Sequence, residues 1–368
     1  MTEKEVWDKA YKRIFELYGN VPDLRIVSRF YSEKQAFMQY EVGKYFYNLA
    51  KLRREAEEVG ERLIVKAPVA SCLVAYLLGT TDENPLPAHY YCPKCKTLEW
   101  MDGKCVFDLR DRTCACGERM KPDGYDIPFE TYLPYAKKLK TADTVPENDQ
   151  RLFDSFLSHF QRSLLDTANA CKQLEKATGV CMDSIDLNDF EVKHRLLTGD
   201  FEYLVGSGGE KAIKQMITLT HPQSYNELLK LIGLAHGTCT WRHNAEQLLS
   251  DGICSLADIP ATRDEVFMSI RDAMQDCNFH DTGFAYDVAS KARRGHYHEH
   301  GMDDYTDGTL SMLGLDDWFG SFIRTTHYMS TKALAVLELK YHIILAWYTL
   351  NFTEKHEVQI RGIKDVNI

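Results

Sequence analysis

Thr81-Asp-Glu-Asn-Pro-Leu-Pro-Ala-His-Tyr-Tyr-Cys-Pro-Lys-Cys95, followed by Cys114-Ala-Cys116-Gly117, is the stretch from which the rest of the chain can be read. Cys92-Pro-Lys-Cys95 is a C-x-x-C knuckle, a spacing that lets two thiolates and nearby backbone N–H groups wrap one tetrahedral Zn²⁺. The second pair, Cys114 and Cys116, is one residue shorter than the usual knuckle. These residues predict a structural zinc held by Cys92, Cys95, Cys116 and either Cys114 or Cys105. The alternative is a metal-free loop of reduced thiols. Four thiolates close a zinc site, so such a metal staples a loop-rich segment and does no chemistry. Over residues 80–135 prolines, glycines and short apolar runs replace helical periodicity, which predicts a zinc-ribbon-like module there.

Helical patterns lie on both sides. Thr2 and Glu5 form a capping-box pattern, Val6, Ala10, Ile14 and Leu17 share a helical face, and Gly19 stops it. A single long helix is expected from about 27 to 58. Its aromatic stripe (Phe30, Tyr31, Phe37, Tyr40, Tyr45, Phe46, Tyr47) reads as core packing. Arg62 to Lys66 reads as a short strand entering a turn at Pro68. Beyond the cysteines, a polar linker over 136–146 precedes a helix over 151–177, and short helices punctuated by glycine fill 189–352. Ala333 to Phe352 is the most apolar segment. Glu338, Lys340 and His342 interrupt it, so it reads as a core helix and not a membrane span. Residues 353–368 lack periodicity and read as a tail. His296-Tyr-His-Glu-His300 alternates in a way that suits a strand, and is read as a surface loop, with metal binding as the alternative.

Composition bounds the function. The 368 residues carry a net charge of −10, which excludes a generally basic nucleic-acid coat but leaves room for a local cationic surface. An odd eleven cysteines, and a start without a basic-then-apolar leader, point to a reducing cytoplasm. No Walker loop, dinucleotide fingerprint or local catalytic triad is apparent.

Longer strings carry a resemblance. Thr81 to Cys95, Asp123-Gly-Tyr-Asp-Ile-Pro-Phe-Glu-Thr131, Thr178-Gly-Val180, Glu210-Lys-Ala-Ile-Lys-Gln-Met216, Gly233-Leu-Ala-His-Gly-Thr-Cys-Thr-Trp241, Asp251 to Leu256, Arg293-Arg294-Gly295 and Tyr328 to Ala333 follow one another in a fixed order. Together they resemble the PolC-type alpha subunit of bacterial DNA polymerase III, along nearly the whole chain. The resemblance implies an α+β, mostly α fold. It would have a palm-like N-terminal part over 1–79, the zinc-ribbon-like insertion, a linker and remnant palm over 136–200, and a helical fingers-like half over 201–352.

The family's catalytic parts look eroded. Nucleotidyl transfer needs carboxylates bridging two Mg²⁺ ions. The resemblance places two of them at Glu147 and Asp149, while the third falls on Gln161, an uncharged amide. A long palm segment is missing between Asp149 and Gln161. The family's glycine-rich triphosphate cradle is replaced by Val65-Lys-Ala-Pro-Val-Ala-Ser71, in which alanines stand for glycines and Pro68 lacks an N–H. Lys66 and Ser71 are its polar remnants. In the last helix Lys332 persists, but Leu334 and Glu338 stand where the family has histidine and tyrosine. The expectation is a catalytically degenerate relative that binds DNA or nucleotide, or engages a replication protein, without a membrane. Lys211, Lys214, His236, Trp241, Arg293, Arg294 and Lys332 are its candidate contacts. The alternatives are an active DNA polymerase that uses Glu147 and Asp149 with Mg²⁺, and a decoy that binds replication proteins.

Overall fold

The computed structural model describes residues 1–59, 63, 65, 67–141, 162–200 and 209–365. The chain divides into two compact units, 1–157 and 158–368.

In the first unit, α1 (Glu3–Tyr18) starts on the capping box. The Glu5 N–H donates to Thr2 Oγ1 and the Thr2 N–H to Glu5 Oε2 (3.3 and 2.7 Å). Gly19, at φ +87°, ends the helix in a conformation that favours glycine. The face of Val6, Trp7, Ala10 and Ile14 is fully buried.

The expected single helix over 27–58 is two, α2 (Leu24–Phe37) and α3 (Val42–Glu58), joined by a 3₁₀ turn at Met38–Tyr40. Glu41 interrupts it at φ +53°. The cause is distant in sequence: the buried Glu3 carboxylate accepts from the Gly43 and Lys44 N–H groups (2.9 and 2.8 Å) and from Trp7 Nε1 (2.6 Å). That is an N-terminal cap supplied by another helix, which fixes where α3 begins. Gly43 is small for the same reason, since a Cβ there would lie 2.8 Å from Glu3 Oε1. Most of the aromatic stripe packs as expected, but Tyr31 lies exposed at the surface. Phe30, Phe37 and Phe46 are buried, with Phe30 edge-on to Trp7 at 5.6 Å.

A second buried carboxylate repeats the device at α4 (Leu73–Leu78). Glu33 accepts from the Leu73 and Val74 N–H groups (2.8 and 3.0 Å) and from Arg29 Nε (2.8 Å). Arg29 also donates to the Ser71 and Ile127 carbonyls. Burial pushes the Glu33 carboxyl upward, opposed by Arg29 and the two N–H groups.

Four short antiparallel strands, β1 (His89–Tyr91), β2 (Leu98–Trp100), β3 (Arg112–Thr113) and β4 (Arg119–Asp123), form a sheet in the order β2-β1-β4-β3. In β1, Tyr90 faces Glu99 on one side and Pro122 on the other. α5 (Leu133–Thr141) follows.

The second unit is helical among its described residues: α6 (Arg162–Thr178), α7 (Phe190–Thr198), α8 (Gly209–Thr220), α9 (Tyr225–Ala235), α10 (Glu246–Ser250), α11 (Arg263–Asp276), α12 (Gly283–Arg293), α13 (His296–His300), α14 (Asp304–Met312), α15 (Asp317–Thr325) and α16 (Lys332–Asp365). Residues Lys332–Phe352 are long and apolar enough to cross a membrane, but 72% of the most apolar window is buried inside the protein, as expected of a core helix. Cys171 Sγ of α6 contacts the Tyr341 carbonyl (3.6 Å), and the Tyr348 hydroxyl donates to the Val180 carbonyl (2.6 Å). α16 continues to Asp365, through the stretch that reads as a tail. Glu, Lys, Gln and Arg there are good helix formers even without an apolar stripe. Residues 296–300 form one helical turn and not an irregular loop, bounded by Gly295 (φ +68°) and Gly301 (φ +78°).

Candidate metal centre and nucleic-acid interface

The cysteine site is built by two tight turns at the ends of short strands. After β1, the Lys96 N–H bonds the Cys92 carbonyl and the Cys92 N–H bonds the Thr97 carbonyl (3.0 and 2.9 Å), with Lys96 at φ +64°. After β3, the Gly117 N–H bonds the Cys114 carbonyl and the Cys114 N–H bonds the Glu118 carbonyl (2.9 and 2.8 Å). The turns bring the sulfurs of Cys92, Cys95, Cys114 and Cys116 within 4.8 Å of one another. Cys92 and Cys116 are 3.5 Å apart, and Cys95 and Cys114 are 3.4 Å apart. A zinc ion with Zn–S bonds of about 2.3 Å has sulfur–sulfur edges of roughly 3.8 Å, so the four thiols fit one tetrahedral metal ion.

The shortened C-x-C therefore supplies both of its sulfurs. Cys105 is outside the cluster, half-buried at the start of the 3₁₀ turn Val106–Asp108. The Thr97 hydroxyl and N–H at the Cys95 sulfur, helped by Cys114 and Cys92, lower that thiol to about 6, which favours the ligating thiolate. Each of the eleven cysteines is free of a disulfide.

The two long strings flanking these cysteines are one local structure. The N–H groups of Tyr125, Asp126 and Ile127 bond the carbonyls of Asn84, Leu86 and Pro85 (2.8, 2.8 and 3.0 Å). Asn84 and Tyr76 side chains both donate to Asp123 Oδ2 (2.8 and 3.0 Å). Gly124, at φ +94°, passes so close to the Pro87 carbonyl that a Cβ would lie 2.2 Å from its oxygen.

Residues Ala67–Ser71, which the sequence resemblance sets against the family's phosphate cradle, form a 3₁₀ turn in which all five are buried. Ser71 donates its hydroxyl to the Pro68 carbonyl (2.7 Å). Lys66, Glu147, Asp149 and Gln161 lie outside the described residues, as does most of the strand expected at 62–66.

In the second unit, three of the quoted strings meet. The Thr238 N–H bonds the Tyr328 carbonyl (2.9 Å), and the His327 N–H bonds the Thr238 carbonyl (3.0 Å), in an isolated antiparallel bridge. The Met329 N–H bonds the Arg293 carbonyl (3.3 Å), and Gly295 packs on His327, whose carbonyl oxygen a Cβ would meet at 2.4 Å. Arg293 is half-buried and Arg294 exposed at this junction. Lys332 opens α16 next to it, where the Lys332 N–H donates to the buried Asp264 carboxylate (2.7 Å). Lys211 and Lys214 lie on the first two turns of α8.

His236 caps the C-terminal end of α9 and pairs with Glu338 of α16. Burial pulls its imidazole down, but Glu338 outweighs it and raises the pKa overall, favouring imidazolium beside carboxylate. One helical turn beyond, buried His342 is pushed down to about 4 by desolvation. Trp241 is half-buried, and the next two residues, Arg242 and His243, are exposed. Cys239 and His243 hold φ values of +57° and +58°. Asn244 keeps the loop in place, donating to the Cys239 and Phe322 carbonyls (2.9 and 3.1 Å) and to Thr326 Oγ1 (3.3 Å). Sequence alone did not single out Arg242, His243 or His327, because an exposed residue in a loop has no periodicity to mark it.

No family model matches the chain. The DNA polymerase III PolC-type of Clostridium perfringens is 22% identical over 480 residues, covering 96% of this chain and 32% of that protein. Those of Caldanaerobacter subterraneus (23% over 475 residues) and Thermotoga petrophila (21% over 466) align similarly. The chain is a distant relative of the PolC-type DNA polymerase III. It spans about a third of the length of the curated relatives it matches. A match of 480 residues also exceeds the 368 of this chain, so more than a hundred positions within the matched segment have no counterpart here.

Proposed function

We propose that this chain is a catalytically degenerate relative of the PolC-type polymerase that binds nucleic acid, in a reducing cytoplasm, as an accessory to replication. In this reading residues 1–79 are palm-like, 80–135 form the zinc-ribbon-like module, 136–200 hold the linker and remnant palm, and 201–352 are fingers-like. The observation that carries this reading is the burial of Ala67–Ser71. A triphosphate cradle works by presenting open backbone N–H groups to phosphate. Here the corresponding turn is filled with Cβ atoms and a proline ring and packed into the core, and the helix after it is already capped by Glu33. The shortfall in the matched segment supports the loss of palm structure.

The junction of Arg293, Arg294 and Lys332 is the surface offered to DNA. Cys92, Cys95, Cys114 and Cys116 hold Zn²⁺ as a structural ion. Primer extension with Mg²⁺ or Mn²⁺ tests the catalytic half: no incorporation is expected. Extension that Asp149→Ala abolishes would show an active polymerase using Glu147 and Asp149. Binding of primer–template DNA at low salt, weakened by Arg293→Ala with Arg294→Ala, tests the other half. Absence of DNA binding, with capture of replisome components, would favour a protein-binding decoy.

A further inference from the structure

The second unit carries an imidazole pair that the reading above does not use. His298 of α13 and His327, just after α15, are both exposed, with ring centroids 3.6 Å apart and planes tilted by 33°. Two imidazoles sharing one metal ion at about 2.1 Å sit with centroids farther apart than this, so the pair is stacked and not poised to chelate. Exposed aromatic rings stack readily when neutral, but two imidazolium ions at this distance repel. An anion placed against both rings removes that repulsion and makes double protonation favourable.

The surroundings suit a phosphate. Arg294 is exposed beside Gly295, which packs directly on His327, and the Thr238–Tyr328 bridge brings the loop carrying exposed Arg242 and His243 to the same junction. Most carboxylates on the neighbouring elements are engaged. Asp287 holds Lys291 (2.8 Å), Asp307 holds Arg324 (2.6 Å), Asp303 accepts from Thr306 (2.8 Å), and Glu299 lies 3.7 Å from His300. Asp304 is exposed at the start of α14, and His296 packs on His300 at 4.7 Å.

We propose that His298 and His327, with Arg294, form a phosphate-binding site whose grip strengthens as the solution is acidified. The site rests on the reading of this junction as a nucleic-acid surface, and it takes a phosphodiester oxygen of the bound strand.

Fluorescence anisotropy of the full chain with a labelled single-stranded oligonucleotide, at pH 6.0 and 8.0 and constant salt, tests it. Affinity is expected to be roughly tenfold higher at pH 6.0, since imidazole changes charge across this range. His298→Asn with His327→Asn should remove most of that increase. His298→Arg should bind tightly at both values, which a packing role would not produce. Arg294→Ala should weaken binding at both. A pH dependence that survives in the double asparagine variant overturns the site while leaving the nucleic-acid reading intact. Binding of neither the oligonucleotide nor inorganic pyrophosphate at either pH overturns both. If inorganic pyrophosphate binds with the same histidine-dependent pH response and the oligonucleotide does not, the anion site stands with a free phosphate compound as its ligand and the nucleic-acid reading fails.

Discussion

His236 and Glu338, 102 residues apart in the chain, meet as an ion pair that ties the end of α9 to the core helix α16. Glu338 lies at the position where the sequence resemblance leads one to expect tyrosine. Its carboxylate is nearly buried, and an isolated carboxylate there would be severely desolvated without the imidazolium.

Glu338→Gln should therefore destabilise the protein by about 3 kcal/mol, as expected when one partner of a buried pair is removed. The pH dependence has a definite sign. The folded pKa of His236 is raised, so its contribution is complete below the unfolded-state pKa and is lost as pH rises through the folded one. Denaturant titrations from pH 6 to 9 should show the wild type losing stability toward alkaline pH more steeply than the glutamine variant.

His342 acts in the opposite direction. With its folded pKa lowered to about 4, it favours the folded state above the unfolded-state value and ceases to do so as pH falls toward 4. His342→Gln should flatten the acid limb of the stability profile, measured as Tm between pH 7 and 4.

The proposal of zinc at the four-cysteine cluster predicts about one zinc per chain in protein purified without chelator. Cys92→Ser and Cys114→Ser should each lose most of it, whereas Cys105→Ser should keep it. Metal analysis beside circular dichroism separates these outcomes. Retention by Cys114→Ser with loss by Cys105→Ser would assign the fourth ligand differently.

Gly124→Ala forces a side chain onto the Pro87 carbonyl at a left-handed φ. A loss of at least about 2 kcal/mol is expected, localised to the first unit. Hydrogen exchange at Tyr125, Asp126 and Ile127 should report it first, because their N–H groups close the contact between the two strings.

Much of this arrangement was legible in the sequence because it is local. The capping box at Thr2 and Glu5, the stop at Gly19, the cysteine knuckles and the core character of Ala333 to Phe352 depend on residues a few positions apart. The break between α2 and α3 was not legible, since it is imposed by Glu3 from forty residues away against an unbroken aromatic pattern. The second unit shows the same limit. The sequence marks Arg293 and Lys332 as candidates, but only the bond from the Met329 N–H to the Arg293 carbonyl shows that the Arg293 and Tyr328 strings come together. Glu338 read as a lost tyrosine, and its tie to His236 is a tertiary fact.

The ribbon's strands are three, three, two and five residues long. So small a sheet buries too little apolar surface to hold its turns against chain entropy, and cross-linking by a metal is the natural remedy. With zinc in the site as proposed, ion loading would be part of maturation: cells starved of zinc would accumulate an immature chain with this segment open to proteases, so trace-metal supply would set how much finished protein they contain.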